Sequence, residues 1–198
     1  MRIDEIIRKS LEEDLGSGDI TTRYLDLDPE ICSAYMIAKA EGILAGTDIA
    51  KEVFKTVDPE LKITIYRKDG DRVRSKDEIM RVEGKAASIL QAERTALNFL
   101  QRLSGIASQT RRMVDAMAGT NTMLLDTRKT TPLLRSLEKY AVRVGGGLNH
   151  RHGLFDMIML KENHIRAAGG ITRAVSKIQM QNASYKVEVE VSNLDELA

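Results

Sequence analysis

The sequence predicts an α/β protein in two successive parts, and three observations support this. From about residue 120 onward, short apolar stretches alternate with amphipathic helical stretches, a pattern typical of parallel strands joined by helices. Before a long helical region that starts near residue 88, strands and turn residues mix, which indicates a small sheet within residues 1–85. The sequence stops about one turn into a further predicted helix. This favours an incomplete α/β barrel over an open sheet, because a closed barrel needs about eight strands.

The first part reads as one helix, a strand, a capped helix and two more strands. Residues 2–13 carry isoleucine and leucine at helical spacing, and Gly16 and Gly18 end that pattern. Thr47 is positioned to cap the second helix. The predicted strands are SAYMIAKAEG, LKITIYRKDG and EIMRVEGKA.

The second part begins with a long helix and then alternates. Ser88 and Gln91 match a capping box, Ser104-Gly105 is expected to bend or break the helix, and Gly119 to end it. A strand TMLLDT follows, and Thr131-Pro132 opens the next helix. The remaining elements are a strand DMIMLKE, a helix TRAVSKIQMQ capped by Thr172, a strand YKVEVEV and a helix from Asn193.

Composition narrows the class of protein. The 198 residues are 42% hydrophobic and 30% charged, and 30 Lys+Arg nearly balance 29 Asp+Glu, so no global field points to nucleic acid or membrane. The single cysteine, Cys32, fits a reducing compartment. The N-terminus lacks the apolar core of a signal peptide, and no apolar run has the length of a membrane span. We therefore expect a cytoplasmic protein.

Charged side chains lie where predicted strands end, and ligands of parallel sheets bind at those ends. DTRKTTP follows the strand at 122–127, and LKENH ends the next. Arginine grips carboxylate or phosphate with a planar fork, and lysine adds a point charge. These ends predict a small anionic ligand, although solvated loop charges would also explain Arg128 and Lys129.

Glu188 and Glu190 lie two residues apart on a predicted strand and therefore share a face. Two carboxylates on one face need cations, a metal or water. They could hold Mg²⁺ together with phosphate oxygens, or they could pair with lysine or arginine as structural residues.

All three histidines lie in LNHRHGLFDMIMLKENH. The pair His150-x-His152 could bind zinc, but the neighbouring Arg151 and Lys161 disfavour a dication and favour an anion site. A zinc hydrolase is therefore the weaker reading.

The motifs DTRKTTP, LEKYAV, GGGLNHRHGL, LKENH and KVEVEV, in this order and spacing, resemble quinolinate phosphoribosyltransferase, the carboxylating nicotinate-nucleotide pyrophosphorylase family. EDLGSGDIT and ERTALNFLQRLSGIAS match as well. The resemblance implies an N-terminal α/β sandwich domain over residues 1–108, including the linking helix. Residues 109–198 would then be the first part of an open-seamed α/β barrel, truncated at its C-terminal side.

The family reaction joins quinolinate to 5-phosphoribosyl 1-pyrophosphate with Mg²⁺, giving nicotinate mononucleotide, CO₂ and pyrophosphate for NAD biosynthesis. By resemblance, His150, Arg151 and Arg128 hold quinolinate carboxylates, while Lys129 and Lys161 meet substrate anions. Thr127 would contribute its backbone, and His164 would support the site. Glu190 would hold Mg²⁺ and ribose hydroxyls, which makes Lys129, Lys161 and Glu190 the predicted catalytic residues. Arg102 would be supplied to the neighbouring subunit of a homodimer or larger homo-oligomer.

Two departures from the family pattern leave alternatives open. Leu133 stands where the family usually has glycine, and the family's last barrel strands and glycine-rich phosphate loop find no counterpart in these 198 residues. The alternatives are an inactive or partial fragment of this fold, retaining only assembly or partner binding, and a paralogue associated with molybdenum uptake.

Overall fold

The computed structural model describes residues 2–27, 30–181 and 184–197. It divides into two compact units, Met1–Asn149 and His150–Ala198. Both units mix helices and strands, as the α/β prediction requires. Within the described residues, no helix is both long enough and apolar enough to cross a membrane.

The first unit contains five helices and five strands in the described residues. They are α1 (Ile3–Leu15), α2 (Ile20–Tyr24), β1 (Ile31–Ile37), β2 (Gly42–Ile43), α3 (Thr47–Val57), β3 (Lys62–Ile65), β4 (Arg72–Val73), β5 (Glu78–Lys85), α4 (Ala86–Ala116) and α5 (Arg135–Val144).

The sheet of the first unit is antiparallel, with β5 between β1 and β3. Alternation along β5 buries Met80 and Val82 on one face. These side chains belong to the same core as Phe54 of α3 and the fully buried Leu61. Gly84 is required where β5 passes Leu61, because a Cβ there would lie 2.6 Å from the Leu61 Cδ2.

Helix α4 is continuous over 31 residues, so the predicted break at Ser104-Gly105 is wrong. The Ser104 hydroxyl accepts a hydrogen bond at 3.0 Å from the amide of Ala45, which lies between β2 and α3. The predicted capping box is also wrong, because α4 starts at Ala86 and the Ser88 hydroxyl donates to Asp58 Oδ2 at 2.8 Å. The domain boundary predicted after residue 108 falls inside this helix and stays a prediction.

Helix α5 is tied to the loop before β4 by Tyr140 and Asp69. The Tyr140 hydroxyl donates to Asp69 Oδ2 at 2.6 Å, and the same carboxylate accepts from the amides of Gly46 and Thr47 at the start of α3. Burial and the hydrogen bond to this carboxylate raise the pKa of Tyr140 far above its ordinary value. Asp69 therefore caps α3 from a different loop, whereas Thr47 had been predicted as the cap.

The glycine run after α5 allows a close approach to α4. A Cβ on Gly145 would lie 2.5 Å from the Ala107 carbonyl oxygen. After this turn the chain runs beside residue 125, and the predicted strand at 122–127 forms only a parallel bridge between Leu125 and Leu148. One bridge is too short to count as a strand, so the predicted strand is wrong, although the pairing is parallel as expected.

The second unit contains β6 (Ile158–Leu160), α6 (Glu162–Ala168), α7 (Ile171–Met180) and β7 (Val187–Val189). Strands β6 and β7 are parallel, as predicted for strands separated by helices. Helix α7 begins after Gly170 without a side-chain cap, so Thr172 does not cap it. Between residues 184 and 197 the structure has turns but no helix after Asn193, which makes that predicted helix wrong.

Candidate active site

The cationic segment of the first unit is Thr127–Lys129. It leaves the bridge at Leu125, and the Thr127 hydroxyl accepts a hydrogen bond from the Lys129 amide at 3.1 Å. Thr127 and Lys129 are exposed, while Arg128 is half-buried. The Arg128 Nε is buried and has no hydrogen-bond partner among the described residues. A buried donor without an acceptor needs an explanation, and an anionic ligand is one that supplies an acceptor.

Arg102 lies on α4, in the same unit. Its guanidinium contacts the Thr131 hydroxyl and the Glu138 carboxylate, with Nε 2.9 Å from Glu138 Oε1. The Thr131 amide donates to the other carboxylate oxygen at 3.1 Å. Burial acts to raise the pKa of Glu138, but the hydrogen bonds from Arg102 and Thr131 outweigh it and lower the pKa. About half of the Arg102 side chain stays exposed.

In the second unit, Lys161 and Glu190 lie at the carboxyl ends of the two parallel strands. The register pairs Leu160 with Val189, so Lys161 and Glu190 are the next residues along. The Lys161 Nζ lies 3.3 Å from Glu190 Oε2. Both side chains are about half exposed, which leaves the pair open to a ligand at this strand edge.

His150 and Glu188 form a second pair across the same unit. The His150 Nε2 lies 2.7 Å from Glu188 Oε2, and the histidine is the more buried partner. Glu188 and Glu190 thus each meet a cation-forming side chain from elsewhere in the unit. The two carboxylates had been predicted to share a face, but the partner of each depends on contacts that the sequence does not reveal.

Arg151 is buried, with 8% of its surface exposed. Its Nη1 donates to the Met157 carbonyl at 3.4 Å, and no carboxylate pairs with it among the described residues. A buried guanidinium normally has an anionic partner. Arg151 therefore shares with Arg128 an unmet demand for negative charge.

His164 supports the backbone next to Lys161. Its Nδ1 accepts a hydrogen bond from the Lys161 amide at 3.1 Å, at the start of α6. The ring is exposed. His164 thus fixes the point at which the strand becomes a helix.

His152 belongs to a loop organised by Asp156. The amides of His152 and Gly153 donate to the Asp156 carboxylate at 2.6 and 3.0 Å, and these bonds lower the pKa of Asp156. The His152 ring lies against Phe155, with ring centroids 6.4 Å apart. Within the described residues, no three His, Cys, Asp or Glu side chains form a group that could hold a metal.

Sequence reasoning missed the partners that hold the predicted residues. Thr131 and Glu138 fix Arg102, and Glu188 fixes His150. Glu188 carried a signal in its alternation with Glu190, whereas nothing local marks Glu138 as a partner of a residue 36 positions earlier.

Comparison with known proteins accounts for nearly the whole chain. Residues 19–104 match the family model "Quinolinate phosphoribosyl transferase, N-terminal domain", and residues 106–198 match the C-terminal domain model of the same family. The chain is 44% identical over 191 residues to a probable carboxylating nicotinate-nucleotide pyrophosphorylase of Bacillus subtilis, covering 96% of this chain and 65% of that protein. It is 46% identical to the chloroplastic enzyme of that name from Arabidopsis thaliana, covering 97% of this chain and 56% of that protein. The chain therefore spans about 56–65% of the length of these curated relatives.

Solved structures show the same fold. The structure of NadC from Streptococcus pyogenes superposes with a TM-score of 0.93 at 44% identity, covering 98% of this chain and 69% of that one. The nicotinate-nucleotide pyrophosphorylase from Francisella tularensis gives 0.94 at 48% identity with the same coverages. The α/β class predicted from the sequence is confirmed by this agreement.

Proposed function

Because the chain belongs to the quinolinate phosphoribosyl transferase family, we propose that the protein transfers the phosphoribosyl group of 5-phosphoribosyl 1-pyrophosphate to quinolinate. Decarboxylation then gives nicotinate mononucleotide, CO₂ and pyrophosphate, a step of NAD biosynthesis. The observation that carries the proposal is the unmet demand for negative charge at two arginines. Arg128 has a buried Nε without an acceptor, and the buried Arg151 has no carboxylate partner in the described part of the chain.

Quinolinate has two carboxylates, and each unit has an arginine without an anionic partner among the described residues. A guanidinium accepts a carboxylate with two parallel hydrogen bonds. The family resemblance assigns carboxylate binding to Arg128 in the first unit. In the second unit it assigns this role to Arg151 and to His150, whose Nε2 lies 2.7 Å from Glu188 Oε2. The burial of Arg151 strengthens its interaction with a carboxylate, because solvent screens a buried charge less.

The phosphoribosyl donor brings a 5-phosphate and a pyrophosphate. Lys129 is exposed and Lys161 is about half exposed, and both can meet these anions as point charges. The Thr127 backbone would add a polar contact beside Lys129. Glu190 would bind ribose hydroxyls from its position 3.3 Å from Lys161.

Magnesium fits Glu190 in donor chemistry. Mg²⁺ is usually bound by one or two carboxylates together with substrate phosphates and water rather than by a cage of protein ligands. Glu190 is a half-exposed carboxylate at a strand end, so it can supply one such oxygen. When bound, the ion would neutralise charge that develops on the pyrophosphate leaving group.

The proposed reaction has two steps, ribosyl transfer and decarboxylation. The bond from C1 to the pyrophosphate oxygen breaks, the leaving group takes the electron pair, and the quinolinate ring nitrogen forms the new bond to C1. The ring nitrogen becomes positive. This eases loss of CO₂ from the adjacent carbon, whose electron pair then takes up a proton. The arginines must orient the departing carboxylate without stabilising its charge too strongly.

We also propose that the protein is a homodimer in the cytoplasm. Arg102 would act in the site of a second copy in a homodimer, supported by the exposed half of its side chain. A cytoplasmic location is supported by the exposed, free Cys32.

A product assay tests the proposal. The protein is mixed with quinolinate, the phosphoribosyl donor and Mg²⁺, and nicotinate mononucleotide is measured. We expect product from the wild type, little from Arg151→Met, and wild-type amounts from Arg173→Met, which removes an exposed arginine of α7. Wild-type protein that neither forms product nor binds quinolinate would overturn the proposal.

A further inference from the structure

A buried polar cluster lies directly behind the cationic segment Thr127–Lys129. It consists of Asp126, Lys139 of α5 and Asn149. The Lys139 Nζ pairs with Asp126 Oδ1, and these side chains are only 3% and 7% exposed. Asn149 Nδ2 donates to Asp126 Oδ2 at 2.6 Å and to the Lys139 carbonyl at 2.9 Å.

Backbone contacts place this cluster where two extended segments end side by side. The Asp126 amide donates to the Leu148 carbonyl at 3.1 Å, and the Leu148 amide donates to the Leu124 carbonyl at 2.8 Å. Asp126 and Asn149 are therefore the residues that directly follow the parallel bridge between Leu125 and Leu148. Their side chains converge on one lysine of the helix that connects the two segments.

Stability alone does not account for these residue types. Burying two charges carries a desolvation penalty, and well-packed apolar residues of similar volume are often equally stable or more stable. A charged pair with an amide attached has geometric requirements that apolar packing lacks.

We propose that Asp126, Lys139 and Asn149 are positioning residues, which hold Thr127–Lys129 in the orientation that receives the substrate anion. The substrate part of this inference rests on the proposed function. The hold itself does not, because it follows from contacts within the first unit. None of the three needs to touch substrate.

The surroundings of the cluster connect it to the rest of α5. The Arg143 guanidinium donates to Asn149 Oδ1 and lies 5.7 Å from the centre of the Tyr140 ring. Tyr140 is the neighbour of Lys139 in sequence, but its hydroxyl bonds to Asp69, away from residue 126. Tyr140 therefore offers a control on the same helix.

The test compares three variants with the wild type. Asn149→Ala removes the two hydrogen bonds that the amide donates and the one that it accepts from Arg143, without burying a lone charge. The double variant Asp126→Leu/Lys139→Met replaces the ion pair with apolar side chains, so it keeps the cluster testable if the single change impairs folding. Tyr140→Phe removes a half-buried hydrogen bond of the same helix and controls for lost stability.

Two readouts separate positioning from stability. Amide hydrogen exchange of the 126–130 segment, without substrate, should quicken in Asn149→Ala and in the double variant. In Tyr140→Phe, exchange should quicken instead at residues 46 and 47. The Kd for quinolinate should rise by on the order of 10-fold in the first two variants, because small displacements of binding groups are costly, and should stay unchanged in Tyr140→Phe.

The outcomes are distinct. Unchanged exchange at residues 126–130 in both cluster variants would overturn the inference, as would unchanged quinolinate affinity in both. Faster exchange in variants of a protein whose wild type does not bind quinolinate would support the hold by the cluster and reject the proposed function instead.

Discussion

The Lys161 Nζ lies 3.3 Å from the Glu190 carboxylate, one residue beyond the point where β6 and β7 stop pairing. Each side chain is about half exposed. Exposed ion pairs contribute little to folding, because water and salt screen them. We therefore expect this pair to contribute more to ligand binding than to the stability of the fold.

Replacing Lys161 by methionine should separate these two contributions. We expect the free energy of unfolding to change by less than about 1 kcal/mol. Affinity for the phosphoribosyl donor should fall at least about 10-fold, because a hydrogen bond to a charged group is worth roughly 1.5–3 kcal/mol. Urea unfolding and calorimetric titration measure the two quantities.

The matched control is Arg166→Met, which breaks the exposed pair of Arg166 and Glu162 on α6. It should alter neither stability nor donor affinity measurably. Equal loss of affinity in both variants would show that general charge, rather than the position of Lys161, attracts the donor.

Leu133 adopts a backbone conformation that favours glycine, with φ at +69° and 71% of its surface exposed. Leu134 N donates to Thr131 O at 3.1 Å, and Pro132 occupies the second position, features of a type II turn. Leu133→Gly should relieve strain and raise the free energy of unfolding by about 0.5–1 kcal/mol, since the lost left-handed penalty exceeds the added flexibility of the unfolded chain.

Leu133→Ala is the control for this change, because alanine keeps the Cβ that causes the strain. Its stability should match the wild type within about 0.5 kcal/mol. Thermal and urea unfolding compare the three proteins, and equal stability of the glycine and alanine variants would contradict the strain argument.

Glu138 should make folding sensitive to acid. Its folded-state pKa lies below the ordinary value, because hydrogen bonds from Arg102 and Thr131 outweigh the opposing effect of burial. A pKa that is lower in the folded than in the unfolded protein adds stability above the unfolded-state pKa of about 4.3. This stability is lost as the pH falls through the folded-state pKa.

The comparison protein is Glu138→Gln, whose amide does not titrate. At neutral pH it should be less stable than the wild type by about 1–2 kcal/mol. The loss is modest because Arg102 is half exposed, so solvent screens part of its interaction with Glu138. The difference should shrink below about pH 4. A difference that stays constant down to pH 3 would mean that the charge of Glu138 does not contribute.

Arg102 can be assigned to its own site or a partner's site by mixing inactive variants. If Arg102 acts in the neighbouring subunit, Arg102→Met and Lys161→Met carry their defects in complementary places. Subunit exchange should then restore about a quarter of wild-type activity, because half of the dimers are hybrids and each hybrid has one intact site. Unmixed variants serve as controls, and no recovery would place both residues in one site.

The elements that sequence predicted best are those whose pattern is local. Alternating apolar residues in LKITIYRKDG indicated β3, and the apolar stretch DMIMLKE indicated β6. Errors arose where distant residues compete for the same group. Ser88 matched a capping box, yet its hydroxyl bonds to Asp58, 30 positions away.

The candidate site shows the same division. The residue types along DTRKTTP and LKENH predict an anion site from the sequence alone. The partners that orient those residues come from other elements, as with Glu138 for Arg102 and Glu188 for His150. Such pairings depend on register and helix packing, which no short motif encodes.

Helix α4 has a consequence for how the protein folds and fails. The regions matching the two family models meet between residues 104 and 106, in the middle of one uninterrupted helix. Because both regions include part of α4, unfolding of this helix in one region also disrupts the helix in the other. We therefore expect the first unit to unfold in a single cooperative transition. Proteolytic cleavage within α4 should destabilise both regions together.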